Sequence, residues 1–416
     1  MEPSIVQGFF WKLLERFGVQ TASFILSIIL ARLLSPNMYG VLALMMIFTT
    51  FANIFVQSGL NTALIQDRTV TEEDYSSVFW LSLIIAIILY LVLFSSAPLI
   101  ANVFGMPNLT TPCRLLALIL IPGAFNSVQL AKVSKNLDFK NVFKSNILAT
   151  IISGMIGIIL AYLGAELWSL VLKEIVNACL ICLVMWFTVK WRPKFLFDPI
   201  RIKKLFSFGW KILLTTLIDN IYTDLRSLVV GKKFSAETLG FYDRGKQFPR
   251  FVINGINGAV QSVMLPAFSM KQDCKSDAKA MLNKSIVFTC FFLFPSMAIL
   301  AGSGKSLILI LLTEKWLNAL PYMQIYCFTF AFWPIHTCNL QFINSVGRSD
   351  LFFKLEIIKK TISLALLIFA VIYFSSPLVI AMVGAISSII DCFINAQPNR
   401  KLIGYPYERQ MLDILP

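Results

Sequence analysis

About twelve apolar stretches recur along the 416-residue chain, each near the ~20 residues that a helix needs to cross a bilayer. They constrain the fold more than any other feature, because long apolar runs are typical of membrane spans and not of soluble cores. We place the spans at 17–34, 41–60, 77–100, 113–131, 146–164, 167–189, 205–229, 247–268, 284–304, 320–343, 353–374 and 377–396. The chain is 57% hydrophobic and 14% charged, whereas soluble domains are roughly half apolar and a quarter charged. The sequence therefore predicts an all-α integral membrane protein with about 12 transmembrane helices.

Charged residues lie mainly in the short segments between these spans. The most basic segment is "KWRPKFLFDPIRIKKLF" (190–206), followed by 131–144 and 271–284, and all three fall on one side of the membrane. Loops on the opposite side are short and nearly uncharged, with 231–246 as the exception. The positive-inside rule then predicts that the basic loops and the N-terminus are cytoplasmic. The same distribution argues against nucleic acid as a partner, although the formal net charge is +14.

The N-terminal ten residues have neither a basic segment nor a small-residue cleavage site. These two features mark a secretory signal peptide. We therefore expect the first apolar stretch to be a retained span.

A short motif occurs twice and divides the chain into two halves. "LSPNMYG" (34–40) follows span one and "FSAETLG" (234–240) follows span seven, and a Phe-Gly pair, Phe17-Gly18 and Phe208-Gly209, lies near the start of each span. Six spans per half predict two parallel six-helix bundles, 1–198 and 199–416, related by a pseudo-two-fold axis along the membrane normal. The C-terminal half includes a cytoplasmic segment at 397–416. The alternative is a coincidence between two helix ends.

The first copy of the motif has a local explanation as well. Pro36 cannot continue a helix and disfavours the helical conformation at Ser35, so span one must end there. We expect Gly40 to open a tight turn into span two.

Polar side chains follow helical spacing on the first two helices of each half. They are Lys211, Thr215, Asp219, Tyr222 and Arg226 in span seven; Arg250, Asn254, Asn257 and Gln261 in span eight; Arg16 and Gln20 in span one; and Asn53 and Gln57 in span two. Polar groups are costly in lipid, so they normally face a cavity or a partner helix. We expect these stripes to face one another across the central axis. The alternative for each stripe is interhelical hydrogen bonding that only holds the bundle together.

The stripe of span seven carries more ionisable groups than packing needs. Asp219 and Arg226 can pair with each other, but Lys211 and Arg250 still leave an excess of positive charge. Fixed positive charge in a cavity predicts an anionic ligand. Phosphate suits arginine, whose guanidinium can bind it through two parallel hydrogen bonds.

Two further motifs do not predict a site. Cys179 and Cys182 form a C-x-x-C, but no second pair or histidine completes a zinc set, so no metal is expected. "GSGKS" (302–306) lacks the glycine that a phosphate loop requires, because position 299 is Ile, and it follows an apolar helix instead of a strand.

Isolated polar residues in other spans are expected to have local roles. His336, the only histidine, is either a proton relay or a structural hydrogen-bonding residue beside Asn339, and we favour the structural role. Lys173 and Glu174 are expected to form a local pair. Asp391 is expected to reach the membrane interface.

The segment "ILARLLSPNMYGVLALMMIFTTFANIFVQSGLNTALIQ" (29–66) resembles the opening two helices of the Wzx-like polysaccharide exporters. These are lipid-linked oligosaccharide flippases of the same superfamily as the multidrug and toxin extrusion (MATE) transporters. "TEEDYSSVFWLSL", "LRSLVVGKKFSAETLGFYDRG", "LLTEKWLNALPYMQIYC" and "NSVGRSDLFFKLEIIKK" are similar to the teichuronic and colanic acid exporter branch. The resemblance covers nearly the whole chain.

The resemblance implies a MATE-like, V-shaped pair of six-helix bundles around a central cavity that opens alternately to each side. It implies transport of undecaprenyl-diphosphate-linked repeat units of O-antigen, capsule or exopolysaccharide to the periplasmic leaflet of the bacterial inner membrane. It assigns the diphosphate first to Arg226, then to Arg16 and Arg250. Partners would be the lipid-linked oligosaccharide, the bilayer, and candidate polymerase and chain-length proteins. No cofactor is implied, although a proton or sodium ion could couple transport.

Members of this family usually carry about two further helices after a stretch such as "KLIGYPYERQMLDILP". Either this chain is truncated or the extra pair is dispensable.

Two other functions are consistent with a membrane fold of this kind. A cation-coupled drug exporter would be expected to have a cavity in which carboxylates are the main charged groups, whereas Lys and Arg are the main charged groups of the stripes here. A polysaccharide polymerase or ligase would be an enzyme, and such enzymes commonly depend on a large extramembrane loop, whereas every loop here is short. The flippase is the leading hypothesis, and it requires no covalent step. The glycan, the coupling ion and the oligomeric state stay open.

Overall fold

The computed structural model describes residues 10–57, 59–67, 69–136, 138–271 and 275–414, with the side chains of 256–267, 269–271 and 349 outside the description. Helices connected by short loops make up these ranges, and no β-strand occurs in them. Eight of the described helices are long and apolar enough to cross a membrane. The predicted all-α membrane fold is confirmed.

The helices pack into two compact units, the first of which ends at Gly240. Its helices are α1 (Phe10–Leu33), α2 (Pro36–Gln57), α3 (Leu60–Gln66), α4 (Glu72–Phe104), α5 (Pro107–Lys135), α6 (Phe139–Tyr162), α7 (Leu167–Thr188), α8 (Pro199–Lys233) and the start of α9 (Ala236–Lys271). Each of the first seven predicted spans falls on a helix of this unit.

The second unit begins at Phe241 and contains the rest of α9. Its other helices are α10 (Lys275–Gly302), α11 (Gly304–Leu311), α12 (Leu320–Ala331), α13 (Trp333–Ser345), α14 (Ser349–Tyr373), α15 (Pro377–Ile403) and α16 (Tyr407–Ile414). The predicted span at 320–343 is therefore two helices, α12 and α13. Pro334 explains the break, because it lacks an N–H donor and is favoured in the first turn of a new helix.

Helix α8 packs against α2, α3 and α4, so the first unit extends beyond the predicted boundary at 198/199. Glycines permit the close approach at one end of α8. Gly59, which has a φ of +81°, lies so near Gly209 that a methyl group added to it would be 2.6 Å from the Gly209 carbonyl oxygen. The assignment of six spans to each half stays a prediction.

The two copies of the repeated motif touch each other within the first unit. Gly40 lies inside α2, so the expected tight turn at this residue is wrong; α2 already begins at Pro36. A methyl group at Gly40 would lie 1.6 Å from the Ala236 carbonyl oxygen, and one at Gly240 would lie 2.0 Å from the Pro36 carbonyl oxygen. The matched glycines thus allow the starts of α2 and α9 to cross with their backbones touching.

The basic segment between α7 and α8 is bound to the start of α4. Helix α4 begins with a capping box, in which Thr71 and Asp74 exchange side-chain and backbone hydrogen bonds. The guanidinium of Arg201 donates to Thr71 Oγ1 at 2.9 Å and to Asp74 Oδ2 at 3.0 Å. Lys204 Nζ also donates to Asp67 Oδ2 at 3.1 Å. The linker is therefore fixed to the end of the helical unit.

Candidate functional site

The polar stripe of predicted span seven lies on one of three distinct faces of α8. The packing face is buried and consists of Leu205, Gly209, Ser227, Val230 and Gly231. An exposed apolar face consists of Phe206, Trp210, Leu214, Ile218 and Ile221. The stripe lies on the remaining face, with Lys211, Thr215 and Asp219 exposed and Tyr222 and Arg226 half-buried. The apolar face suits lipid, whereas charged side chains within a membrane helix need water, a polar ligand or a protein partner.

Two residues of the stripe are in direct contact. The guanidinium carbon of Arg226 lies 5.7 Å from the centre of the Tyr222 ring. This is within the range of a cation–π interaction, which holds a guanidinium in place without neutralising its charge. Thr215 Oγ1 instead donates to the carbonyl oxygen of Lys211, a bond within the helix. The stripe therefore has a cation oriented by an aromatic ring at one end and an exposed lysine at the other.

Helix α8 has a well-defined start that fixes this geometry. Asp198 caps it by accepting from the backbone N–H groups of Ile200 and Arg201, and Pro199 occupies the first helical position. The helix then continues for 35 residues without an internal proline. The predicted spacing of the stripe is preserved because nothing kinks the helix between its members.

The polar residues of span two contact each other and a glycine of α5. Gln57 Nε2 donates to Asn53 Oδ1 at 3.1 Å. A methyl group at Gly123 on α5 would lie 2.9 Å from Asn53 Oδ1 and 3.1 Å from Gln57 Nε2, so both amides pack directly on that glycine. The hydrogen bond lies within α2, and the contact with α5 is one of packing; ligand binding by Asn53 and Gln57 stays a prediction.

The stripe of span one begins in a π-helical turn, Glu15–Val19, within α1. Such turns are rare and are frequent at functional sites. Arg16 lies in this turn and is exposed, and Gln20 follows it and is half-buried. Glu15 accepts hydrogen bonds from Lys12 and from Asn146 on α6, which fixes the turn against the unit.

The stripe of span eight is in the second unit, on α9. Arg250 is exposed and Asn254 is half-buried. The side chains of Asn257 and Gln261 lie outside the described residues. The role of this stripe in ligand binding stays a prediction.

A second polar face runs along α15 in the second unit, and only Asp391 in it had been singled out from the sequence. Its members are Ser387, Ser388, Asp391, Cys392, Asn395 and Asn399. Asn395 Nδ2 lies 3.2 Å from His336 Nδ1, and Ser388 Oγ lies 3.2 Å from His336 Nε2. These contacts are those expected of a structural histidine. The spacing of three and four residues could have revealed this face from the sequence.

Two charged pairs in other spans form locally. Lys173 Nζ donates to Glu174 Oε1 at 2.6 Å, as expected. Lys359 pairs with Glu356 one turn earlier on α14. Each of these pairs neutralises its own charges.

Comparison with known proteins supplies the class of the chain. Residues 29–321 match the family described as "Polysaccharide biosynthesis protein". The chain belongs to this family. It is 26% identical over 349 residues to the teichuronic acid biosynthesis protein TuaB of Bacillus subtilis, covering 83% of this chain and 72% of that protein. It is 23% identical over 397 residues to the succinoglycan biosynthesis transport protein ExoT of Rhizobium meliloti, covering 95% and 78%.

Solved structures show the same fold for this polysaccharide biosynthesis protein. The lipid II flippase MurJ, in an inward closed conformation, superposes with a TM-score of 0.78 at 16% identity, covering 98% of this chain and 90% of that one. A multidrug resistance MATE family transporter in an inward-facing conformation gives a TM-score of 0.67 at 15% identity, covering 94% and 98%. The chain is thus a multi-pass membrane protein with a transporter fold.

Proposed function

We propose that this protein flips lipid-linked oligosaccharide repeat units across the bacterial inner membrane by alternating access. Movement is from the cytoplasmic to the periplasmic leaflet, with the N-terminus cytoplasmic. Membership of a polysaccharide biosynthesis family supports the substrate class. Two relatives named for teichuronic acid and succinoglycan biosynthesis support it as well.

The observation that carries the proposal is the separate polar face of α8. Its charged side chains lie apart from both the packing face and the apolar face of the same helix. A helix that only packed in the bundle would not need an exposed lysine, an exposed aspartate and a half-buried arginine on one side, since each costs free energy in lipid. A polar substrate group passing along this face would exchange its own hydration for contacts with these charged side chains.

The chemistry required is binding and release, because the barrier is the transfer of a polar headgroup through hydrocarbon. The diphosphate of the substrate carries negative charge that Arg226 can hold with two hydrogen bonds. The ring of Tyr222, next to the guanidinium, keeps the two donating N–H groups oriented. Lys211 lies four turns earlier on the same face and supplies a second positive charge along the path. We propose Arg16 and Arg250 as further contacts.

Energy coupling and partners follow from the proposed reaction. Binding of a proton or a sodium ion would drive the change in access, and Asp219 is the carboxylate of the stripe. Polymerase and chain-length proteins would act on the flipped repeat unit. No covalent step is assigned to this protein.

Reconstitution tests the proposal against the drug-exporter alternative. Proteoliposomes would be loaded with a fluorescent polyprenyl-diphosphate oligosaccharide, and the arrival of sugar at the opposite leaflet would be followed with a membrane-impermeant lectin. We expect flipping above the rate of protein-free vesicles and no accumulation of a lipophilic cationic drug. Drug transport without oligosaccharide flipping would overturn the proposal.

A further inference from the structure

The linker between α7 and α8 presents large apolar side chains to the outside. Phe195 is 91% exposed, Ile200 is 82% exposed, and Phe197 is 52% exposed. They lie between the end of α7 and the first turn of α8 and therefore outside the membrane-spanning stretches. Large exposed apolar side chains grouped in one short segment indicate an interaction surface.

Backbone hydrogen bonds hold these side chains in their outward position. Lys194 N donates to Ser76 Oγ at 3.1 Å, and Asp198 N donates to Ser77 Oγ at 3.0 Å. Trp80 Nε1 donates to the Lys194 carbonyl oxygen at 2.8 Å, and the Trp80 ring stacks on Phe195 with centroids 4.9 Å apart. The apolar surface is therefore built onto α4 and does not belong to a loose loop.

Positive charges surround the same surface. Lys190, Lys194 and Lys203 are exposed, and none forms an ion pair within the described part of the chain. Asp198, the acidic residue of the linker, is occupied as the cap of α8. The surface thus has uncompensated positive charge next to apolar side chains.

We propose that residues 190–203 form a docking surface for the anionic phospholipid headgroups of the adjacent leaflet. The linker follows α7, which is long and apolar enough to cross a membrane, and leads into α8, the predicted span seven, so we place it at the level where a bilayer ends. Aromatic and aliphatic side chains enter the headgroup region there, while lysines attract anionic lipid. A soluble acidic protein partner would suit the charges, but it would not account for side chains held at the membrane boundary. This inference is independent of the proposed transport.

A fluorescent label at position 200 tests the surface in the intact protein. Ile200→Cys labelled with an environment-sensitive fluorophore would be placed in nanodiscs of phosphatidylcholine, or of equal parts phosphatidylcholine and phosphatidylglycerol. We expect severalfold less quenching by aqueous acrylamide with the anionic lipid, since each basic residue near such a surface strengthens binding roughly fivefold. High salt should restore the quenching.

Leu163→Cys provides the matched control, because Leu163 is 76% exposed in another interhelical loop that has no lysine or arginine beside it. Its label should respond equally in both lipids. The variant Lys190→Gln/Lys194→Gln/Lys203→Gln should remove the lipid dependence at position 200 while retaining the melting temperature. Equal quenching at position 200 in the two lipids would overturn the proposal. A soluble acidic partner would then be the better explanation of the surface.

Discussion

Substitution of Gly40 by alanine should separate the starts of α2 and α9. The added methyl carbon would lie 1.6 Å from the Ala236 carbonyl oxygen, whereas ordinary contact begins at 3.4 Å. The two helices must therefore move apart by about 1.8 Å, because the obstacle is backbone and cannot rotate away. Overpacking of this kind costs about 1–3 kcal/mol, so the touching arrangement should be disfavoured by roughly 5- to 150-fold.

The assay is a distance measurement between spin labels on the two helix starts. Labels at Asn37→Cys and Glu237→Cys are suitable, because both residues are exposed. We expect Gly40→Ala to add a longer population to the distance distribution and to slow transport. Gly302→Ala is the control, since no atom lies within 4 Å of the added methyl group. An unchanged distribution in Gly40→Ala would refute the reasoning that this glycine permits the close approach.

Three further predictions concern charge. If Asp219 only neutralises Arg226, Asp219→Asn should leave export largely intact, and the double variant Asp219→Asn/Arg226→Gln should export no worse than Arg226→Gln alone. Loss of transport from Asp219→Asn alone would instead indicate an ion-coupling role. A reporter fused after Lys204 should be cytoplasmic and one fused within Asn108–Pro112 periplasmic, and both on one side would overturn the span order. Backbone and side-chain hydrogen bonds from Thr69, and one from Lys204, lower the pKa of Asp67 to about 2. Its contribution to the melting temperature should thus be present above about pH 4, be lost as pH falls through about 2, and be absent at every pH in Asp67→Asn.

Apolar length predicted the helices well, and packing explains where it did not. Predicted spans at 167–189 and 353–374 agree with α7 and α14 within a few residues. The span at 320–343 divides after Ala331, because Pro334 lies in the first turn of a new helix. Apolar content alone does not reveal such a break. Helix α8 packs against α2, α3 and α4, and apolar length does not indicate such contacts.

The candidate site was predicted unevenly for a similar reason. Charged residues such as Lys211 and Arg226 are conspicuous in an apolar helix, so their spacing predicted that they share one face of α8. Ligand binding by that face stays a prediction. Serine and asparagine are common packing residues in spans, so the buried face around Asn395 was missed. Whether a predicted polar pair binds ligand or packs depends on its neighbour, and Gly123 opposite Asn53 cannot be known from the sequence of α2.

The most direct test of the central claim is the effect of Arg226 substitutions on glycan display, with membrane abundance measured in parallel. Loss of a charged hydrogen-bonding partner costs about 1.5–3 kcal/mol, so Arg226→Ala should weaken diphosphate binding roughly 10- to 150-fold and abolish display at normal abundance. Arg226→Lys should restore display only in part, because an ammonium keeps the charge and loses the two-pronged geometry. Ile221→Ala, on the apolar face of the same helix, should display normally. Normal display from Arg226→Ala would contradict the account, and loss of abundance would assign Arg226 to packing.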